Sequence, residues 1–309
     1  MNIIETFDLS KTYHLKGRKK QIHALNNINI CIKEGEKFGL LGPNGAGKTT
    51  IISILTMLIQ PTSGYAIIDG NNILKQPNII KQKIALMLGS EMIYYRITGY
   101  ANLKFFCKIY QIKNYKEKIE KIAQELGLEK WIHEYVEKYS TGMKIKLALC
   151  RVLLLDPKIL FLDEPMLGLD VKTTNFILDK LKSLDKTVFL TSHNLNVLEK
   201  VCNNFAFIKD GSIILKGRKE ELKFFFQQEV QIAIIVDKNS QLRKSLEQEK
   251  FINKIDVIIN DNTNFQEITV SLKERKNYND LFSILKDHNV IKIFEKELHI
   301  EDLFLKIMK

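Results

Sequence analysis

The chain has 309 residues, 45% of them hydrophobic, which suits one large domain plus a smaller one with a substantial core. Its most apolar runs, residues 51–59 and 152–155, are too short to span a bilayer, and no basic start leads into an apolar core, so neither a membrane bundle nor a secretory leader is expected. Cys31, Cys107, Cys150 and Cys202 lie far apart with no C-x-x-C pair, excluding a disulfide framework. The charge of +11 implies either a polyanionic or membrane-surface neighbour or lysines spread over every surface.

Residues 3–23 alternate and predict β-strands, interrupted by a basic cluster at 16–20 that reads as a solvated hairpin loop; Tyr13 falls where the first strand ends. Residues 27–32 alternate again, and Glu34-Gly35-Glu36 turns the chain into a short buried strand, Phe38 to Leu41. There follows Gly42-Pro43-Asn44-Gly45-Ala46-Gly47-Lys48-Thr49, with Thr50 behind it, which satisfies G-x-x-x-x-G-K-[ST] at every fixed position. Ile51, Ile52, Ile54, Leu55 and Leu58 then recur at helical spacing. Strand, glycine-rich loop and helix are the context this motif needs. Glycines let successive N–H groups face one phosphate chain, and those amides sit at a helix N-terminus that favours an anion. Lys48 would reach the outer phosphates, and the Thr49 hydroxyl would hold Mg²⁺.

Further strands are expected at residues 65–68 and 84–88. From 98 to 149 the period turns helical, which reads as a helical insert over about 90–150. A helix over 143–155 stops at Asp156-Pro157. Ile159 to Leu162 then lead to Asp163-Glu164, two carboxylates at the carboxyl end of a buried strand, where ligands bind in an open parallel sheet. A helix over 173–184 and a strand over 187–192 follow, with His193 just past it, and a hairpin over 205–215 closes the first domain. From residue 230 no glycine appears, and the elements run β-α-β-β-α-β, the ferredoxin-like arrangement. The division is therefore 1–225 and 226–309, an α/β phosphate-loop domain followed by a small α+β accessory domain.

Further stretches beyond the phosphate loop give the text of residues 3–217 its resemblance to the ATP-binding subunit of ABC transporters, in particular the drug- and polymer-exporting branch. Tyr139-Ser140-Thr141-Gly142-Met143 stands where that family carries L-S-G-G-Q, keeping only the serine and the second glycine. Taken alone, Ser140 is a helix N-cap. Leu162-Asp163-Glu164-Pro165 looks like the second phosphate-site motif, Gly168-Leu169-Asp170 like the dimer-contact loop, His193 like the switch histidine and Tyr13 like the aromatic that stacks on adenine. The family's usual glutamine after the strand at 84–88 is missing. Gly89 takes its place, and Glu91 is the nearest side chain able to serve Mg²⁺.

The resemblance implies an ABC-type phosphate-loop fold with an antiparallel β subdomain, and an ATPase using ATP and Mg²⁺. Thr49, Asp163 and Glu91 would form the metal set, Glu164 would polarise water, and His193 would contact the γ-phosphate. Ser140, Gly142 and Asp170 would meet nucleotide bound at Gly42 to Thr50 of a second ATP-binding subunit, a twin or a sister chain. A separate transmembrane permease would place the subunit at the cytoplasmic face of the membrane. A soluble ABC-type ATPase acting on ribosomes or nucleic acid is the rival. It is disfavoured because one phosphate loop and one serine-glycine signature are present, without the second nucleotide domain or long coiled coil of such relatives. A small-molecule kinase would leave the signature and His193 without a task.

Overall fold

The computed structural model describes residues 1–14, 21–88, 93–226, 230–259 and 264–296, with the backbone alone at 223–226 and 275. The basic cluster expected at 16–20, Gly89, Glu91 and the acidic stretch near the chain end at 298–304 lie outside the described residues. Two compact units divide the chain, Met1–Lys219 and Glu220–Lys309, so the division comes slightly ahead of the expected 225.

The first unit is built on two sheets. Strands β1 (Asn2–His14), β2 (Gln21–Ile28) and β3 (Cys31–Lys33) open the chain, and β4 (Lys37–Leu41) leads into helix α1 (Lys48–Leu55). β5 (Ser63–Ile68) and β6 (Asn71–Asn72) follow, then the short α2 (Pro77–Lys81) and β7 (Ile84–Leu88). One sheet is antiparallel, in the order β2-β1-β5-β6 with β3 also on β1. The alternation over 27–32 is not one strand. Asn27 takes φ 48° at a register shift in the β1–β2 ladder, and Thr6 bridges the gap through Ile28 and Ile30 before β3 resumes pairing.

The helical insert consists of α3 (Gly99–Ile109) and α4 (Tyr115–Glu125), and α5 (Thr141–Leu154) returns the chain to the sheet. The carboxylate strand β8 (Ile159–Asp163) is buried at every position, as is β9 (Thr187–Ser192), and α6 (Val171–Ser183) joins them. Helix α7 (Leu195–Glu199) precedes the hairpin of β10 (Asn204–Lys209) and β11 (Ser212–Arg218). The second sheet runs β11-β10-β4-β9-β8-β7, parallel except for β11. Strands buried on both faces read as unbroken apolar runs, which is why these segments carry so little alternation.

Helix α1 lies between the two sheets. Its Ile51, Ile52, Ile54 and Leu55 share one core with Ile4, Leu9, Leu25 and Ile32 of the antiparallel sheet and with Leu40, Phe161, Phe189 and Ala206 of the parallel one. Ile51, Ile52, Ile54 and Leu55 bury the helix between the sheets while its first turn, Lys48 to Thr50, opens to the cavity, so the packed turns anchor the loop ahead of it. Helix α8 (Lys219–Phe226) then crosses into the second unit. There β12 (Val230–Asp237), α9 (Leu242–Glu247), β13 (Ile252–Ile259), β14 (Phe265–Leu272), α10 (Tyr278–Leu285) and β15 (Val290–Glu295) follow in the expected order. Their antiparallel sheet is ordered β13-β14-β12-β15, the ferredoxin-like arrangement, with Leu242, Leu246, Leu281 and Leu285 of the helices packed on Ile232, Ile234, Ile268 and Val270.

Candidate active site

Three neighbouring parallel strands bring the expected residues together. β9 lies between β4 and β8, and the registers Leu41↔Ser192 and Asp163↔Thr191 align their carboxyl ends. The phosphate loop, the carboxylate pair and His193 therefore leave one edge of one sheet, where open α/β sheets bind ligands. A cavity of about 350 Å³ opens there, lined by Asn44, Gly45, Gly47 to Thr50 and Glu164.

The loop's backbone explains its glycines at one decisive place. Gly47 caps α1 with φ 110°, and a Cβ there would stand 2.7 Å from the carbonyl of Ala24. Lys48, only 5% exposed, folds back so that Nζ donates to the carbonyls of Gly42 at 2.7 Å and Pro43 at 3.1 Å. The same ammonium lies 3.1 Å from Glu164 Oε1, and His193 Nδ1 lies 3.0 Å from Glu164 Oε2. Oε1 of this carboxylate thus has the ammonium at ion-pair distance, without a hydrogen bond, and Oε2 has the imidazole.

Asp163 is held from two sides. Thr49 Oγ1 donates to its Oδ2 at 2.7 Å and Thr191 Oγ1 to its Oδ1 at 2.5 Å. Thr191 Oγ1 also accepts from the Glu164 N–H at 3.1 Å, fixing a residue whose φ of 46° is unusual for a side chain of this size. One buried hydroxyl therefore orients both carboxylate residues. Thr49 and Asp163 offer hard oxygen donors beside the phosphate loop, a set that fits Mg²⁺, which takes few protein ligands and completes its shell with water and phosphate oxygens.

Ser140 and Asp170 sit elsewhere. Ser140 caps α5, its Oγ accepting from Met143 N–H at 3.3 Å, and Asp170 caps α6, accepting from Thr173 N–H at 2.9 Å and from the Thr173 hydroxyl at 2.7 Å. Those donors, the amide first, hold the Asp170 carboxyl below its ordinary pKa. A Cβ on Gly142 would meet Thr173 Cγ2 at 3.0 Å, so the signature loop and the Asp170 loop pack against each other. None of these three residues lines the cavity.

Tyr13 does not line it either. Its cross-strand partner Ile22 does, with His23 and Ala24, and the Lys11 ammonium stands 5.2 Å from the Tyr13 ring centroid. Asp210 and Gly211 complete the lining from the β10–β11 turn, where Gly211 N–H donates to the Ala46 carbonyl at 3.1 Å. Sequence reasoning missed His23, Asp210 and the bridging role of Thr191. The first two carry no local signal, because only the fold brings β2 and the β10–β11 turn to the loop. Thr191 was visible only as a flank of His193.

A family model described as ABC transporter matches residues 25–167. The ABC transporter ATP-binding protein NatA of Bacillus subtilis (strain 168) is 33% identical over 226 residues, covering 71% of this chain and 91% of its own. The bacitracin transport ATP-binding protein BcrA of Bacillus licheniformis is 36% identical over 226 residues, covering 72% of this chain and 70% of its own. Among solved structures, the dimeric post-hydrolysis state of the ATP-binding cassette MJ0796 bound to ADP and Pi has a TM-score of 0.64 at 26% identity, covering 70% of this chain and 98% of that one.

Proposed function

We propose that this chain, which belongs to the family of ABC transporter ATP-binding proteins, is the ATPase subunit of an exporter whose membrane-spanning permease is a separate polypeptide. It binds ATP and hydrolyses it. Relatives named for bacitracin transport and linearmycin resistance support the export direction. No described helix is long and apolar enough to cross a membrane, which accords with a permease on another chain.

The observation that carries this reading is the half-furnished cavity. Lys48, Thr49 and Glu164 line it, while Ser140, Gly142 and Asp170 stand outside it on two capped helices. A second ATP-binding subunit, twin or sister, would bring those residues to the triphosphate and close two sites at once. Catalysis in such a site is positioning and charge stabilisation. Lys48 and the loop amides would balance charge on the phosphate oxygens. Glu164, now paired with Lys48 at 3.1 Å, would be released from it by the incoming phosphate and turned to the attacking water. His193, 3.0 Å from Glu164, would hold that carboxylate and sense the γ-phosphate. Thr49 and Asp163 would hold Mg²⁺, which when bound neutralises the phosphate chain. Glu91 keeps its proposed part in that set, as the side chain nearest the place of the missing glutamine.

Docking of the permease is supported by the insert. Tyr94, Phe105, Ile109 and Tyr110 are 50%, 43%, 56% and 55% exposed, too many large apolar groups in one region for an ordinary solvated surface. Beside them a second cavity of about 300 Å³ is lined by Leu86, Phe106, Tyr110, Arg151 and Leu155, and desolvation lowers the Arg151 pKa there. The test is Glu164→Gln. With magnesium and ATP the variant is expected to accumulate as an ATP-loaded dimer in size-exclusion chromatography, with turnover reduced by about 10²-fold or more. Hydrolysis at the original rate would overturn the assignment of the base.

A further inference from the structure

The signature segment departs from L-S-G-G-Q at its first letter, where Tyr139 stands in place of leucine. That residue brings a hydroxyl, and the structure gives the hydroxyl a place. Tyr139 is 4% exposed, and its Oη donates to the Trp131 carbonyl at 2.6 Å. Burial pushes its pKa up to about 12, so the group keeps its proton throughout the neutral range. The space around it is cut close. A Cβ on Gly99 would stand 2.4 Å from the same oxygen. Gly99 opens α3 without a left-handed φ, so what this glycine supplies is room for the hydroxyl and not freedom of the backbone.

Backbone bonds extend this contact into a strap. Val136 N–H donates to the Ile97 carbonyl at 3.1 Å and Glu137 N–H to that of Tyr95 at 3.0 Å. In return Gly99 N–H donates to Glu134 at 3.1 Å and Tyr100 N–H to Ile132 at 2.6 Å. The run 131–139 is thereby tied to 95–100 at the start of the helical insert, and Tyr139 is its last residue before Ser140 caps α5. The residue ahead of a cap sets the angle at which the chain enters the helix. The direction in which Ser140 and Gly142 are presented therefore depends on where Tyr139 is held. Tyr139 does not line the nucleotide cavity, so it can act only through the residues that follow it. We propose that Tyr139 is a positioning residue for ATP hydrolysis: its hydrogen bond to Trp131, in the space left by Gly99, sets Ser140 and Gly142 for nucleotide held by the second subunit. This rests on the two-subunit site proposed above and adds the group that aims the signature.

The parent measurement is dimerisation of the full-length Glu164→Gln chain with magnesium and ATP, followed by sedimentation equilibrium. Adding Tyr139→Phe keeps the ring and removes the oxygen. The dimer is expected to weaken about five-fold or more, the worth of one such hydrogen bond, because a smaller fraction of signatures is correctly set. ATP affinity of the monomer, titrated at a protein concentration too low for pairing, is expected to stay the same, which a general loss of structure would not allow. Gly99→Ala is the second arm. Alone, its methyl displaces the hydroxyl and weakens the dimer as Tyr139→Phe does. In the Tyr139→Phe background the oxygen is gone, and the alanine is expected to add less than about two-fold, whereas two unrelated defects would multiply. Dimerisation unaltered by Tyr139→Phe, monomer ATP affinity falling in step with it, or multiplying effects of the two substitutions would overturn the proposal and leave the two-subunit site standing. A Glu164→Gln parent that never pairs would overturn both.

Discussion

Replacing Thr191 by valine keeps shape and burial but deletes the one hydroxyl shared by the two carboxylate residues. In the wild-type chain that hydroxyl donates to Asp163 Oδ1 at 2.5 Å and accepts from Glu164 N–H at 3.1 Å, at a site with 0% exposure. Valine leaves an ionised oxygen and a backbone donor without this partner where water enters poorly. Leaving each such group unsatisfied costs about 1–3 kcal/mol, so the pair costs about 2–6 kcal/mol. For a unit the size of Met1–Lys219 that lowers Tm by about 4–24 °C. Activity should fall too. Glu164 keeps its φ of 46° partly because its N–H is anchored there, and a carboxylate displaced by about 1 Å loses about 10²-fold in rate. Thr191→Ser retains the hydroxyl and is the control. The assays are calorimetric unfolding and steady-state ATP turnover, each on wild type, Thr191→Ser and Thr191→Val. Equal Tm and turnover in the serine and valine variants would refute the bridging role.

Two further perturbations separate the loop from the scaffold. Gly47→Ala is expected to abolish ATP binding, measured by equilibrium titration, and to destabilise the unit by roughly 1–3 kcal/mol, because φ 110° is strained for alanine and its Cβ would stand 2.7 Å from the Ala24 carbonyl; unchanged affinity would show that the loop relaxes freely. Asp69 ties the β5–β6 turn to the starts of β7 and β8, accepting from Lys158 at 2.7 Å and Lys83 at 2.5 Å, and hydrogen bonds from Lys158 first, then Lys83, lower its pKa. A depressed carboxylate stabilises the fold fully above its unfolded pKa of about 3.9 and loses that contribution as pH falls through the lower folded value. The Tm gap between wild type and Asp69→Asn should accordingly be constant at pH 5–7 and shrink below about pH 4; a gap that does not narrow in acid would show that Asp69 contributes through something other than its charge.

How much of this could be read from the chain alone depends on where each constraint resides. The convergence of the phosphate loop, Asp163, Glu164 and His193 on one sheet edge was legible because each combines residue identity with the end of a buried strand, and identity and local hydrophobicity are both written in consecutive letters. The ferredoxin-like order of the second unit was legible for the same reason, since alternation along β12 to β15 and helical spacing in α10 are local patterns. The break between β2 and β3 was not. It arises from Asn27 at φ 48° and from Thr6, distant in sequence, and no period of the text encodes that choice. The lining by His23, Asp210 and Gly211 was hidden similarly, because it requires knowing that β10 pairs with β4 and that the β10–β11 turn reaches Ala46.

Thr191 marks the boundary between the two kinds of information. Threonine is an ordinary residue for a β-strand, and its hydroxyl, buried at 0% exposure, is accommodated because it is hydrogen-bonded. Only the register Asp163↔Thr191 places it beside a carboxylate, and only the positive φ of Glu164 brings the next N–H round to the same oxygen. Strand pairing alone brings an ordinary strand residue into contact with both carboxylate residues, so partners of this kind are found along β9, not within the motif itself. The same reasoning separates Tyr13 from its neighbours. An aromatic at a strand end is a local signal, but which residues of the β1–β2 ladder face the cavity is set by a register with two shifts, and that register turns Ile22, His23 and Ala24 toward the phosphate loop.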